Sequence, residues 1–115
     1  MKNKIYNIPL YGGTFEIVFY HEDERIIIEE KYGIKSLDGY SAVTIQRGNK
    51  HKVFFETKKV TPGIIAHEAK HNLNYIFNHI GQQLDLENDE AECYLLGWIV
   101  NRIHESCRKF NIKIK

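Results

Sequence analysis

Long apolar runs and cysteine are both scarce in this sequence. No stretch of about eighteen consecutive apolar residues occurs, so no membrane span and no membrane partner are expected. The first residues also lack the apolar core of a signal peptide. The two cysteines, Cys93 and Cys107, are predicted on one helix about 21 Å apart, too far for a disulfide within the chain. Free thiols are typical of a reducing compartment, so the sequence predicts a cytoplasmic protein.

An excess of charge of one sign is absent as well. Lys and Arg together number 16, against 15 for Asp and Glu, so no basic field is available to attract nucleic acid. Nucleic acid is therefore not expected as a partner. The one cationic cluster is the C-terminal RKFNIKIK (108–115), which we expect to be a solvated, frayed end.

Internal repeats, low-complexity tracts and Pro/Gly/Ser-rich linkers are also missing. The chain has 115 residues, of which 43% are hydrophobic, and this is enough for one buried core but leaves little for a second module. Residues 1–115 are therefore predicted to form a single domain, and any active site must lie on its core elements.

The first half of the chain has the alternating pattern of strands. KIYNIPL (4–10) and TFEIVFY (14–20), joined at YGG, predict one hairpin. YSAVTIQ (40–46) and KVFFE (52–56) predict a second, because Gly48 in the turn between them tolerates a positive φ. The intervening EDERIIIEEKYG (22–33) is ambiguous, but its Asp23 cap, its acidic start and its terminal glycine favour a short helix.

The second half has clear helix signals. Thr61 can cap a helix that begins at Pro62, and Gly81 can end it. A second helix is predicted to begin at Asn88 or Asp89 and to run through Phe110. The sequence thus predicts an α+β fold in which a small mixed or antiparallel sheet packs against two helices.

The first of these helices carries HEAKH (67–71). At about 100° per residue its apolar residues form one stripe, and His67 and His71 fall nearly opposite that stripe. The two histidines are therefore expected at the surface. A pair of surface histidines at this spacing can also be solvated side chains that bind no metal. The stripe consists of Ile65, Ala69, Leu73, Ile76, Phe77 and Ile80.

The spacing of HEAKH suits a zinc site. Imidazoles four residues apart on a helix can converge on one ion, with Zn–N distances of about 2.0 to 2.1 Å. Glu68 is rotated about 100° from His67, so it would stand beside the metal as a general base for a bound water. Catalytic zinc usually has three protein ligands, which requires one more residue besides His67 and His71.

The third ligand must come from elsewhere in the chain. A histidine ten positions after His67 would indicate a metzincin, but Phe77 stands there. A glutamate about twenty residues after the motif fits the gluzincin pattern, and Glu90 lies nineteen residues after His71 at a helix start. Glu90 is therefore our first choice, although an acid in a first turn is also favoured by the helix dipole alone. Weaker candidates or supporting acids are Glu92, expected towards the apolar side, and Asp85, Glu87 and Asp89.

The remaining histidines and the first cysteine have no comparable pattern. Cys93 is expected to be a small buried side chain rather than a ligand, because a thiolate in this set would indicate a structural site. The histidines predicted to lie at the surface without a function are His21, His51, His79 and His104.

The motif segments TPGIIAHEAKH (61–71) and NDEAECYLLGW (88–98) resemble those of small phage and prophage metallopeptidases of the zincin fold, described as minimal gluzincins. The resemblance implies a zincin-like sheet carrying the motif helix, with His67, His71 and Glu90 as zinc ligands and Glu68 as catalytic base. It also implies that the GYSAVTI strand (39–45) is an edge to which an extended peptide can add.

Two positions depart from that pattern. The small residue before the tyrosine is Cys93, and Tyr94 stands where larger gluzincins carry an aspartate that supports the metal ligands. Tyr94 is predicted either to take a supporting or oxyanion role in catalysis or to pack on the helix face.

The sequence thus predicts a zinc-dependent peptidase acting on a peptide or protein substrate. One alternative is a non-catalytic phage protein that holds zinc for stability, or holds none, and binds a partner along its strand edge. Another is a metal hydrolase that cleaves a non-peptide amide with the same ligands. Glu68 favours the enzymes, because a structural metal site has no need of a general base.

Overall fold

The computed structural model describes all 115 residues as four strands and three helices. The sheet has the order β1-β2-β4-β3, with antiparallel pairs β1/β2 and β3/β4 and a parallel pair β2/β4. This mixed sheet with separate helices confirms the predicted α+β class and both predicted hairpins. The elements are β1 (Lys2–Asn7), β2 (Thr14–Tyr20), α1 (Arg25–Tyr32), β3 (Ala42–Arg47), β4 (Lys50–Glu56), α2 (Pro62–Ile80) and α3 (Glu90–Lys109).

Both faces of the sheet are covered. Side chains alternate along β2, so Phe15, Ile17 and Phe19 face α2 and α3 in the larger core. Val18 and Tyr20 face the opposite way and pack in a smaller core with Ile28 of α1. The two central strands are therefore buried on both sides, although the start of β4 is basic and polar.

The boundaries of α2 follow the predicted signals. The Thr61 hydroxyl accepts a hydrogen bond from the Ile64 N–H at 3.1 Å, and Pro62 is the first helical residue. Gly81 ends the helix with φ 77°, a conformation that glycine adopts without steric cost. The predicted apolar stripe is buried except for Ile80, which is 40% exposed at the last turn.

The short helix predicted in the first half is also present. It ends at Gly33 with φ 65° as predicted, but its N-cap is Glu24 rather than Asp23. The reason is a 3-10 turn over Glu22–Glu24, which displaces the helix start. On α3, Asp89 is the N-cap, although its side chain makes no capping hydrogen bond.

Two expectations about burial are wrong. Cys93 is exposed because it precedes the buried Leu95 by two positions, which is about 200° around α3. His51 is 1% exposed, because it shares the face of β4 that carries Val53 and Phe55 into the larger core. Both cysteines are free thiols, as predicted.

The C-terminal segment is not frayed, contrary to the sequence prediction. Ile112 and Ile114 are partly buried against the larger core, and the Lys115 N–H donates to the Val60 carbonyl at 2.9 Å. Alternation of apolar and basic residues buries one side of this segment and leaves the charges outside. None of the helices combines the length and apolar character needed to cross a membrane.

Candidate metal centre

The first half of α2 presents three candidate ligands from five consecutive residues. His67 and His71 lie one turn apart on the exposed side of the helix, as predicted. Glu68 is turned towards the sheet and is only 4% exposed. The exposed imidazoles and the buried carboxylate thus lie next to each other at the boundary between the solvent-exposed and the buried side of α2.

The two imidazoles already have nearly the spacing that a tetrahedral metal requires. Their Nε2 atoms are 3.1 Å apart. When one possible ligand atom is taken from each of His67, Glu68 and His71, the three atoms all lie within 4.8 Å of one another. Two nitrogens bound to one zinc at a tetrahedral angle are about 3.3 Å apart, given the usual Zn–N distance. The donor types and their spacing therefore fit a divalent metal ion such as zinc.

Glu68 has an unusual environment for a carboxylate. Its Oε2 atom is buried and has no hydrogen-bond partner. Burial raises the pKa of the Glu68 carboxyl above its ordinary value, against the opposing charges of His71 and His67. A buried carboxylate oxygen without a partner is costly for the fold, so Oε2 is available to a ligand or to a bound water.

Contacts with the edge strand hold this part of α2 in place. The Asn72 amide donates to the Glu68 carbonyl at 2.9 Å and to the Thr44 hydroxyl of β3 at 3.2 Å. Asn72 is fully buried, so these hydrogen bonds are shielded from water. They fix the orientation of the motif helix relative to β3.

A cavity of about 320 Å³ lies between the motif and β3, and we call it the metal cavity. His67, Glu68 and His71 form one side of it, and the residues from Ala42 to Thr44 form the other. Tyr75 extends the histidine row by one turn, and its ring is stacked near that of His71, with centroids 6.4 Å apart and planes at 19°. The cavity thus offers space for a substrate beside the candidate ligands.

Sequence reasoning missed three polar residues that line the metal cavity. Tyr75 lies four residues after His71, so the same helical spacing that relates the histidines indicates its position. Ser36 and Tyr40 come from the connection between α1 and β3. Nothing in the sequence pattern of that connection shows that it reaches the metal cavity.

The structure does not bring the predicted third ligand into this group. Glu90 is the first residue of α3, is exposed, and is not among the residues whose ligand atoms lie within 4.8 Å of one another. Glu92 faces α2 instead of the apolar core, and its carboxylate binds the Lys70 ammonium at 2.8 Å. This ion pair holds the start of α3 against the motif helix. The other acids considered, Asp85, Glu87 and Asp89, are exposed in or beside the loop before α3.

Tyr94 lies away from the metal cavity. It is 77% exposed and borders a separate apolar groove together with Leu10 and Trp98. This position gives no geometric support for the predicted oxyanion role. Gly97, one turn further along α3, is also exposed.

The remaining histidines form no second ligand cluster with the acids or cysteines. His51 packs edge-on against His79 with ring centroids 6.3 Å apart, and the Nδ1 atom of His21 hydrogen-bonds the Thr57 hydroxyl at 3.0 Å. The chain matches no protein-family model, and comparison with curated proteins and with solved structures finds no similar protein.

Proposed function

We propose that this protein is a zinc-dependent peptidase of the zincin type, similar to the small phage and prophage metallopeptidases that its motif segments resemble. The observation that carries the proposal is the convergence of two imidazoles and one buried carboxylate with an unpaired oxygen in a cavity beside an edge strand. In this proposal the metal ion, the general base and the strand that would position the substrate lie side by side.

The side chains divide the chemistry among them. His67 and His71 would hold the zinc ion, and Glu90 is our proposal for the third protein ligand. A zinc ion bound there supplies Lewis acidity, which activates water at neutral pH and polarises a carbonyl group. Glu68 would accept the proton of the attacking water and deliver it to the amine nitrogen as the peptide bond breaks. The products are one carboxylate and one amine, with no other reactant than water.

The edge strand would position the substrate. β3 pairs only with β4, so the backbone groups along its other edge are free to pair with an extended peptide. Ala42, Val43 and Thr44 line the metal cavity, so a peptide added along this stretch passes beside the imidazoles and Glu68. Backbone pairing of this kind holds a peptide without selecting its side chains.

Metal analysis tests the site directly. Purified protein should contain one zinc per chain, and His71→Ala should lower zinc affinity by at least tenfold. His104→Ala on α3 serves as the control, because His104 lies outside the ligand group. Equal zinc content in all three proteins, or none in any of them, would refute the metal site.

Cleavage of a peptide library tests the reaction. Glu68→Gln should retain zinc and fold but lower kcat/KM by at least a hundredfold, because general base catalysis typically contributes about 10² to 10⁴ in rate. Glu105→Gln, an exposed change on α3, should leave cleavage unaffected. Equal cleavage by the Glu68→Gln variant would remove the proposed mechanism.

One observation favours a second candidate function. Because Glu68 itself belongs to the close group of ligand atoms and Glu90 does not, Glu68 is placed to serve as the third metal ligand. In that case the protein would bind zinc without catalysing hydrolysis. The same variant separates the two functions, since loss of the carboxylate would then lower zinc affinity as well.

A further inference from the structure

A second cavity of about 510 Å³ adjoins the metal cavity, and its polar lining consists largely of carboxamides. Asn74 and Asn78 contribute from α2, and Gln82 and Gln83 from the residues that follow the helix. Phe77 and Leu84 supply apolar surface. We call this space the amide cavity. No charged residue lines it.

One of the lining residues, Asn74, carries a polar atom without a partner. The Oδ1 atom of Asn74 is buried and accepts no hydrogen bond. A buried acceptor without a donor costs on the order of 1 to 3 kcal/mol, so the site favours a ligand that brings an N–H group. The amide groups of Asn78 and Gln83 offer both donors and acceptors to the same ligand.

The end of α2 fixes the rim of the amide cavity. The Gln82 N–H donates to the Phe77 carbonyl at 2.8 Å, and Gly81 closes the helix in the left-handed conformation. The Gln82 side chain then donates to the Gln83 carbonyl at 3.1 Å. The backbone that carries Gln82 is thus fixed by the hydrogen-bonded helix terminus, and the Gln82 side chain has a partner at the rim of the cavity.

The amide cavity and the metal cavity share one wall, the Tyr75 side chain. Asn78 lies seven residues after His71, which is about 10 Å along the helix. An extended peptide advances about 3.3 Å per residue, so this distance corresponds to about three residues. A peptide with its scissile bond at the histidines would therefore carry a side chain two or three residues away into the amide cavity.

The direction of the edge strand is consistent with this path. The start of β3 lines the metal cavity beside His67 and His71. Near its end, Gln46 pairs with His51, whose ring contacts that of His79 in the last turn of α2. β3 and α2 thus run in the same direction, and a peptide added along β3 would proceed towards the end of α2 where the amide cavity lies.

We propose that the amide cavity is a recognition subsite for a glutamine or asparagine side chain of the bound peptide. A carboxamide matches the lining because it presents a donor and an acceptor together and has no charge. A lysine or glutamate side chain would meet no opposite charge there, and an aliphatic one would leave the Asn74 oxygen unpaired. This subsite rests on the proposed peptidase function for its role, but its ligand preference can be measured separately.

The test is an NMR titration of the full chain without metal, so that neither zinc binding nor cleavage influences the result. The probes are N-acetylglutamine amide, N-acetylnorleucine amide and N-acetyllysine amide. The glutamine compound should shift the side-chain amide signals of Asn74, Asn78 and Gln83, and the other two should bind at least tenfold more weakly. Equal binding of all three, or no shift with any of them, would overturn the subsite.

Two variants locate the interaction. Asn78→Leu keeps the branching of the side chain but removes its amide, and it should weaken binding of the glutamine compound at least tenfold, whereas Asn101→Leu, an exposed helix position on α3, should not. Gln83→Met provides a second change outside the helix if Asn78→Leu does not fold. Binding that survives both changes would also overturn the subsite. If the glutamine compound binds as expected but no peptide is cleaved, the proposed peptidase function fails while the subsite stands.

Discussion

Acidification should destabilise this fold through His51, and replacing that residue should remove the effect. His51 is buried with its Nδ1 atom unpaired. Burial, together with the nearby His79, lowers the pKa of His51 from 6.5 to about 4. As the pH falls, the His51 imidazole is therefore protonated in the unfolded chain before it is protonated in the folded one. The stability that is present above pH 6.5 is lost as the pH falls towards 4, because proton binding favours the unfolded state.

The size of the loss follows from the two pKa values. Between pH 7 and pH 5 the His51 contribution falls by about 1.8 kcal/mol, and the full loss below pH 4 is about 3.4 kcal/mol. The buried Glu16 contributes only at lower pH. Burial would raise its pKa, but hydrogen bonds led by that from Lys52 outweigh this and leave its pKa below the ordinary 4.5. The range from pH 7 to 5 thus lies above the titration of Glu16, and the comparison with a His51 variant removes the contributions of all other groups, including Glu68, whose pKa is raised by burial.

The assay is urea unfolding at pH 7, 6 and 5 for the parent chain, His51→Leu and the control His104→Leu. The decrease in unfolding free energy between pH 7 and pH 5 should be about 1.8 kcal/mol smaller in His51→Leu than in the other two. The variants are compared by this pH-dependent decrease and not by their absolute unfolding free energies, because leucine also changes the packing. Equal decreases in all three proteins would show that His51 is not a buried neutral base.

Three further predictions concern packing, capping and thiol exposure. Leu73→Ala in the larger core should lower the unfolding free energy by about 2 to 5 kcal/mol in urea titrations, against less than about 1 kcal/mol for the partly exposed Ile80→Ala. Thr61→Ala should cost about 1 kcal/mol by the same measurement, because the Ile64 N–H loses its cap. A thiol reagent should modify Cys93 in the folded protein and Cys107 only after unfolding, because burial raises the pKa of Cys107 to about 11. Rapid modification of both thiols in native protein would contradict the packing of α3.

Local features of this fold were predictable from the sequence. The start and end of α2 depend on Thr61, Pro62 and Gly81, whose conformational preferences are properties of single residues. The exposure of His67 and His71 follows from helical periodicity. These features need no knowledge of what packs against the helix.

Features set by contacts between distant segments were not predictable. The burial of His51 depends on which side of β4 meets α2, and a basic, polar strand start gives no sign of it. The C-terminal segment reads as a charged tail, yet its backbone reaches Val60. The path of the α1–β3 connection, which brings Tyr40 to the metal cavity, is likewise set by tertiary contacts.

The imidazole pair and the glutamate between them depend on different parts of the molecule. One turn of helix is enough to set His67 and His71 side by side, whereas the dry surroundings of Glu68 exist only while β3 stays docked. Loosening the sheet would therefore hydrate the carboxylate first and leave the spacing of the two imidazoles unchanged. Partial unfolding should then leave the two imidazoles side by side while the carboxylate proposed as general base is exposed to water.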